Sequence, residues 1–414
     1  MKKKKHSASI QNSPRSSTDK SQFGIDLSNL FFLAAVSFLI RFIPVLNGTN
    51  WTDLYEQQAI PILKHLNIYS STHKIFPYSP VSMFLPALCA KLSFLLNIPF
   101  SVLMKLPSVM ADVCIDLALF VTLVKIGQKD AFKWALLYAV NPVSILITAF
   151  HGNVISIATL FSFLSYVVLL FGVDKYYRLS ALLLGIAIGF RGYPVLLLPV
   201  FLLSLKISLR NKISYLLHAS IPTALSFIPF IILDYKSVLR EVFAYSGFPD
   251  YGIGAILRAV YSLQHNILAY GLPNNLIGVL NDKTKIIFFI VYIGILFLSS
   301  GKKLITLIMA VFLSFYSVYT GISSQYFIWL LPFAFLIKDK MLKYYVILIT
   351  WAMVNFYWLY HPYIIFGKLG AVKASLNTLL TGEVISLSLS WVLCLLWLIR
   401  LIFIKYEKTG YDFL

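Results

Sequence analysis

Residues 30–46, 286–299 and 384–404 are almost free of charge. Runs of that length and purity have no place on the surface of a water-soluble domain. They fit lipid, where Asp, Lys and Arg each cost about 2.5–3.5 kcal/mol at a helix centre. Charged residues make up 12% of the chain, half the roughly 25% of soluble domains. An all-α polytopic membrane protein follows. The 16% aromatic content suits interfacial belts and a tightly packed bundle.

Candidate spans lie at about 28–46, 79–96, 103–124, 131–150, 154–172, 178–205, 213–233, 284–299, 303–319, 322–337, 342–360 and 384–404. Several are shorter than the roughly 20 residues of a straight crossing. About twelve crossings put both termini on one side, which suits Lys405 and Lys408. Cytoplasmic loops carry excess Lys and Arg. By that rule Lys206, Arg210 and Lys212 mark one inner loop, Lys302 and Lys303 a second, and Lys338, Lys340 and Lys343 a third. The first polar loop, 234–283 and 361–383 then face outward.

Lys125, Lys129 and Lys133 break the pattern, because simple alternation from an outer first loop places them outside. Dividing 178–205 around Arg191 moves them inside, but then 79–102 cannot be a single crossing. A re-entrant or broken segment restores parity, and such breaks survive only where protein or a wet cavity covers them. The sequence does not choose between the two topologies.

The net charge of +19 would suggest nucleic acid in a soluble protein. Here it belongs to loops and tails that set orientation and touch anionic lipid, so no nucleic-acid partner is expected. Cys89, Cys114 and Cys394 sit in apolar runs without ligand spacing and imply neither a disulfide framework nor a metal site. Residues 1–27 read as a disordered basic cytoplasmic tail, and 28–414 as one integral membrane domain with large outer loops at 47–78 and 234–283.

The polar interruption at 47–80 is the natural working face, since loops of about thirty residues rarely serve only as connections. Asn47-Gly48 is a turn signal. Thr52 is placed to cap a short helix with Asp53 in its first turn and Glu56 one turn on. A carboxylate there is either an ordinary cap charge or a base tuned by its neighbours. Tyr78 and two flanking prolines form either a stiff lead into the next helix or a wall of a binding site.

Further polar residues sit inside apolar runs. Lys105, Asp112 and Asp116 share one run, with the two carboxylates one helical turn apart. Intramembrane carboxylates usually face the bundle interior and serve a site; pairing with Lys105 or Arg191 for stability is the alternative. His151-Gly152-Asn153 forms a polar break after Asn141-Pro142. Arg191 stands between long apolar runs, and its fork of donors suits a ligand phosphate or a salt bridge to Asp112 or Asp116. In 234–283, a helix from about Gly254 to Tyr270 would carry Arg258, Gln264 and His265 as a lid over an acceptor groove. Gln325 and Tyr326 stand at the mouth of another span.

Taken together these motifs resemble the GT-C superfamily, polytopic glycosyltransferases that use polyprenyl- or dolichyl-phosphate sugars. The likeness runs from about 28 to 340. It rests on Asp53-Leu54-Tyr55 in the first outer loop, Tyr78-Ser79-Pro80 before the next helix, and Lys105-Leu106-Pro107-Ser108 leading to Asp112. It continues through Asn141-Pro142 followed by His151-Gly152-Asn153, Arg191-Gly192-Tyr193-Pro194, and Gln325-Tyr326-Phe327-Ile328-Trp329 ending at Pro332. The glycosylphosphatidylinositol-pathway mannosyltransferases and their bacterial relatives carry H-G-Q-x-D where this chain has Asn153 and Ile155, a departure that bears on sugar specificity.

The resemblance implies a GT-C-like bundle and an inverting transfer of a hexose, with mannose the expected sugar, from a polyprenyl-phosphate donor to a lipid-linked or other outer-face glycan acceptor. Asp53 would be the general base and Arg191 the donor-phosphate ligand, with Lys105 and His151 as secondary partners. Glu56, Tyr78, Asp112, Asn153, Gln325 and Tyr326 would support them. Relatives divide into those that need a divalent cation and those that do not, and no residue pattern places a metal here. The site would face the periplasm, exterior or lumen from a bacterial plasma membrane or an endoplasmic reticulum membrane. The rival classes are a transporter or flippase of polyprenyl-linked sugars, and an inactive accessory subunit.

Overall fold

The computed structural model describes residues 25–47, 52–64, 66–71, 78–244, 249–269, 274–297, 302–360 and 375–403. The basic tail up to residue 24, His65, His73 and residues 404–414 lie outside them, as do the side chains of Asp53 and Leu54.

The described chain is helical, and its one β-bridge pairs Tyr251 with Ile322. In order the helices are α1 Leu27–Asn47, α2 Thr52–Leu63, α3 Ile68–Ser71, α4 Val81–Leu96, α5 Phe100–Lys125, α6 Ala131–Ala139, α7 Pro142–Ile145, α8 Ile155–Leu170 and α9 Val173–Phe190. They continue with α10 Leu197–Ser204, α11 Leu209–Ala244, α12 Gly252–His265, α13 Asn274–Phe297, α14 Leu304–Val318, α15 Leu331–Leu336 and α16 Leu342–Tyr360. The last, α17, is Leu376–Phe403. Five stretches are long and apolar enough to cross a bilayer: Leu27–Asn47, Phe100–Lys125, Ala131–Phe150, Leu209–Val242 and Leu376–Phe403. This is a multi-pass integral membrane protein. α11 shows how little of such a helix needs protein around it: Leu209, Leu217, Leu225, Ile232 and Leu233 all present their side chains outward.

The ends of the bundle follow from contacts between α1 and α5. Lys105 Nζ donates to the Val45 carbonyl at 3.3 Å, and seven residues later Asp112 meets Arg41 at 2.7 Å. Later residues of α5 face earlier residues of α1, so the helices are antiparallel. The end of α1 and the start of α5 therefore lie at the same end of the bundle. The chain leaves α1 and enters α5 at that one end, so α4 is not a lone crossing. The lead into it is held at Gly189 by a hydrogen bond from Ser79 Oγ to that carbonyl, while Cys89 Sγ reaches the Leu103 carbonyl at 3.6 Å. α4 packs against α2, α5 and α9. The sequence expectation of a span at 79–96 is corrected accordingly. At 16 residues, α4 reaches about 24 Å, short of the roughly 30 Å hydrocarbon core.

The opposite end collects the lysines. Lys338 Nζ binds Gln128 Oε1 at 2.5 Å and also the Asp130 carboxylate. Arg400 meets Asp339 at 2.9 Å, and Lys302 Nζ donates to the Leu401 carbonyl at 2.9 Å. Lys125, Lys129 and Lys133 thus share an end with Lys302, Lys338 and Lys340, as the charge rule asks.

The 178–205 run divides at Arg191. α9 ends there because Arg191 adopts extended φ/ψ of −149°/140°, and a 3-10 turn, Tyr193–Leu196, leads into α10. α9 and α11 then run side by side in the same direction, with Tyr177 opposite Asn211 and Ser180 opposite Tyr215. They approach so closely at Gly185 that a Cβ there would strike the Ala219 carbonyl. Small residues at such contacts let helix backbones meet where lipid supplies no hydrophobic drive.

Asn141-Pro142 starts α7 by a local rule: the Asn141 carboxamide accepts from the Val143 and Ser144 N–H groups at 2.9 and 3.3 Å, and proline suits the first helical turn. A π-helical turn, Leu146–Phe150, follows and delivers His151. Of the expected 234–283 loop, the first part continues α11 beyond a kink at Asp234, and the last part belongs to α13.

Candidate active site

Arg191 is the centre of a cavity of about 450 Å³ at the first-loop end of the bundle. Only 5% of the residue is exposed. Its Nη2 donates to the Tyr55 hydroxyl at 2.8 Å, and its guanidinium lies 3.9 Å from the centre of the Tyr78 ring. Nη1 is buried and has no hydrogen-bond partner among the described residues. A cation taken from water without carboxylate or full hydrogen bonding is costly. The two tyrosines offset part of that cost, one as an acceptor and one through its π face. The free Nη1 leaves the group short of one anionic or acceptor partner.

Three separate parts of the chain make this arrangement. α2 carries Tyr55, which packs with Phe100, Met104 and Val154. The lead into α4 carries Tyr78, whose carbonyl accepts from the Tyr69 hydroxyl at 2.8 Å. The break after α9 carries Arg191, Gly192 and Tyr193. Burial pushes the Tyr55 hydroxyl above its ordinary range, opposed by the neighbouring guanidinium, so it stays protonated at neutral pH and its oxygen remains an acceptor.

The opposite wall is aromatic. Tyr193 stacks on Trp329 with ring centres 3.6 Å apart, and Tyr326 stacks on the same indole at 4.5 Å. The Tyr193 hydroxyl is 2.9 Å from Thr159 Oγ1, which fixes the ring edge-on to α8. Phe315, Tyr319, Gly321 and Gln325 complete this side, and Val242 of α11 closes another. A Cβ added to Gly192 would meet nothing within 4 Å, so the wall is open at that residue.

The residues singled out in the sequence fall into groups. Arg191, Tyr78, Gln325 and Tyr326 line the one cavity. Asp53 lies in the first turn of α2, two residues before Tyr55, and its side chain lies outside the described residues. The Thr52 hydroxyl is buried with no hydrogen-bond partner among the described residues, so the expected cap is not seen there. Glu56 is exposed on the same helix.

Lys105 and His151 are not in the cavity wall. Lys105 is used by the Val45 carbonyl, and its stem lies under Gly152, whose φ of +74° and lack of a Cβ make the close approach possible. His151 Nδ1 is 2.9 Å from the Tyr357 hydroxyl. Asn153 acts locally: its Oδ1 accepts the Ile155 N–H at 3.0 Å and starts α8.

Asp112 is not paired with Lys105 or Arg191. Its partner is Arg41, which the sequence reading passed over. Both side chains are completely buried. Arg41 also donates to the Ser37 and Ala139 carbonyls at 2.8 and 2.7 Å and to Ser144 Oγ at 2.8 Å. Asp112 accepts from the Tyr138 hydroxyl at 2.7 Å and from Ser144. Asp116 is fully buried one turn along, beside the same guanidinium. This network joins α1, α5 and α6 and takes Asp112 away from the cavity.

A second ion-pair group was also missed. Arg258 of α12 meets Glu383 of α17 at 3.0 Å and Asp250 at 3.7 Å, with its guanidinium 4.7 Å from the Tyr360 ring centre. α12 is thus fastened down onto α17, and none of its residues lines the Arg191 cavity, so it is not a lid over that site. The amphipathic pattern of this stretch carried a helix signal, but the partner at 383 was too distant in sequence to be read.

Among the described residues no group of three or more His, Cys, Asp or Glu side chains is placed to hold a metal ion. No protein-family model matches the chain, and no curated protein matches it significantly.

Proposed function

We propose that the protein is an inverting hexosyltransferase that takes its sugar, mannose by the motif resemblance, from a polyprenyl-phosphate donor. The observation that carries this reading is the Arg191 guanidinium: buried, unpaired by any carboxylate among the described residues, with Nη1 lacking a partner and a cavity of about 450 Å³ beside it. A donor phosphate supplies the missing acceptor, since hydrogen bonds between ionised groups are stronger than neutral ones. The aromatic wall of Tyr193, Tyr326 and Trp329 suits the apolar face of a pyranose, and a lipid-linked donor explains why the site is built into a membrane bundle.

In the reaction Asp53 removes the acceptor hydroxyl proton as that oxygen attacks the anomeric carbon. The bond from that carbon to the phosphate oxygen breaks on the opposite face, and polyprenyl phosphate leaves with its charge held by Arg191. The docking of Tyr55 against Arg191 supports this assignment, because it ties the helix that carries Asp53 to the phosphate ligand. The acceptor is a lipid-linked or other glycan hydroxyl. The antiparallel helix order supports about twelve crossings, with 178–205 supplying two and α4 none. The lysine-rich end then faces the cytoplasm and the Arg191 cavity faces the exterior or lumen.

The test uses the full chain in nanodiscs with labelled polyprenyl-phosphate mannose and a mixed glycolipid extract. Transfer that disappears in Asp53→Asn while donor binding persists supports the enzyme. Unchanged transfer in that variant removes Asp53 as the base. In sealed vesicles, movement of the labelled lipid between leaflets without product favours the transporter class.

A further inference from the structure

A second cavity, of about 510 Å³, lies at the lysine-rich end of the bundle, far along the helices from Arg191. It is a groove between α6 and α16. Trp134, Leu137, Val140 and Pro142 form one side, and Val346 and Ile347 form the other. From Trp134 to Pro142 the floor runs about 12 Å along the α6–α7 axis. The groove faces the lipid: Leu137 and Ile347 are 43% and 63% exposed.

Its charges lie only at one end. Lys338, Asp339, Lys340 and Lys343 rim the mouth where α15 turns into α16. The acids there are already engaged, Asp339 by Arg400 and Asp130 by Lys338. Lys340 and Lys343 are exposed, and neither is in a salt bridge among the described residues. Lys343 lies 4.7 Å from the Tyr344 ring centre, a contact that leaves its ammonium charge in place. The groove is therefore apolar along its length, cationic at its membrane-surface end, and open sideways to the bilayer. That charge pattern complements a lipid whose headgroup is anionic. Basic pockets between transmembrane helices hold such headgroups, and each lysine near an anionic surface adds about fivefold in affinity.

We propose that this groove binds an anionic phospholipid from the leaflet at the lysine-rich end. The headgroup phosphate sits between Lys340 and Lys343, and an acyl chain lies along Leu137, Val140 and Ile347.

Trp134 in the groove wall provides the readout. The full chain is reconstituted in phosphatidylcholine vesicles that contain a rising fraction of chain-brominated phosphatidylglycerol, and in parallel with brominated phosphatidylcholine. Subtracting the signal of Trp134→Phe isolates the indole in the groove. Quenching should set in at a much lower fraction of phosphatidylglycerol than of brominated phosphatidylcholine. Lys340→Gln/Lys343→Gln should need roughly thirtyfold more phosphatidylglycerol, the product of two lysines. Both lysines are exposed, so this variant keeps its fold. Mass spectrometry of lipid retained after detergent extraction gives a second measure, with phosphatidylglycerol kept by the wild type and lost from the double variant. Equal quenching by the two brominated lipids, or a preference that survives the double substitution, overturns the proposal.

Discussion

Removing Arg41 should be among the most damaging single changes outside the cavity. The guanidinium has no exposure, and Nε and Nη2 both contact Asp112 Oδ2, at 2.8 and 2.7 Å. Nη1 meets Ser37 and the Ala139 carbonyl, and Nη2 also meets Ser144. Arg41→Leu leaves a buried carboxylate with only hydroxyl donors, next to the equally buried Asp116. Stranding one member of a buried pair costs about 3–5 kcal/mol. Asp112→Asn strands the guanidinium instead and should cost a comparable amount. The double variant Arg41→Leu/Asp112→Asn removes both charges, while the carboxamide oxygen that replaces the carboxylate can still accept from Tyr138. Replacing a buried pair as a unit is often close to neutral, so the double variant should be more stable than either single one. Equilibrium unfolding in lipid–detergent mixtures, run as a double-mutant cycle, measures this. Additive losses, or a loss below about 1 kcal/mol in Arg41→Leu, would refute the argument that charge stranding dominates here.

Other outcomes follow from single contacts. Gly185→Ala should cost about 1–3 kcal/mol by overpacking α9 against α11, visible as a lowered unfolding midpoint, because the Ala219 carbonyl occupies the space a methyl needs. Burial pushes the Asp250 carboxyl up to about 6 against the opposing pull of Arg258. A carboxyl held above its ordinary value contributes stability that is complete below about 3.8 and is lost as pH rises through about 6. Asp250→Asn should therefore flatten the stability profile between those values, and an unchanged slope would assign it elsewhere. Cysteines placed at Asn47, at the end of α1, and at Asn97, at the end of α4, should label from the same side of a sealed vesicle, since the chain between α1 and α5 starts and finishes at one end of the bundle; labelling from opposite sides would restore α4 as a crossing.

Much of the helix order was legible because each apolar run is a direct reading of what lipid tolerates. The breaks at Asn141-Pro142, His151 and Arg191 were legible too, since a polar residue within hydrocarbon has few places to go. What escaped was pairing across distance. Arg41 sits in the first apolar run and finds Asp112 71 residues on; nothing local distinguishes it from an interfacial arginine. α4 looked like a span by composition, and only the antiparallel contacts of α1 and α5 show that it is not a lone crossing. Lys105 and His151 matched motif positions, yet a backbone carbonyl and a tyrosine take up their side chains. The cavity itself needed Tyr55, Tyr78, Arg191 and Trp329 to meet, four residues whose separations carry no periodic signal.

The central claim is that Arg191 holds the donor phosphate, and donor affinity tests it most directly. Binding of polyprenyl-phosphate mannose to nanodisc-embedded wild type, Arg191→Ala and Gly192→Leu should be compared, each checked for an intact fold. Losing a charge-assisted bond of about 1.5–3 kcal/mol predicts roughly a ten- to hundredfold weaker donor for Arg191→Ala. Gly192→Leu, whose side chain enters open space in the cavity wall, should block the donor while leaving stability unchanged. Normal donor affinity in a folded Arg191→Ala protein would contradict the account.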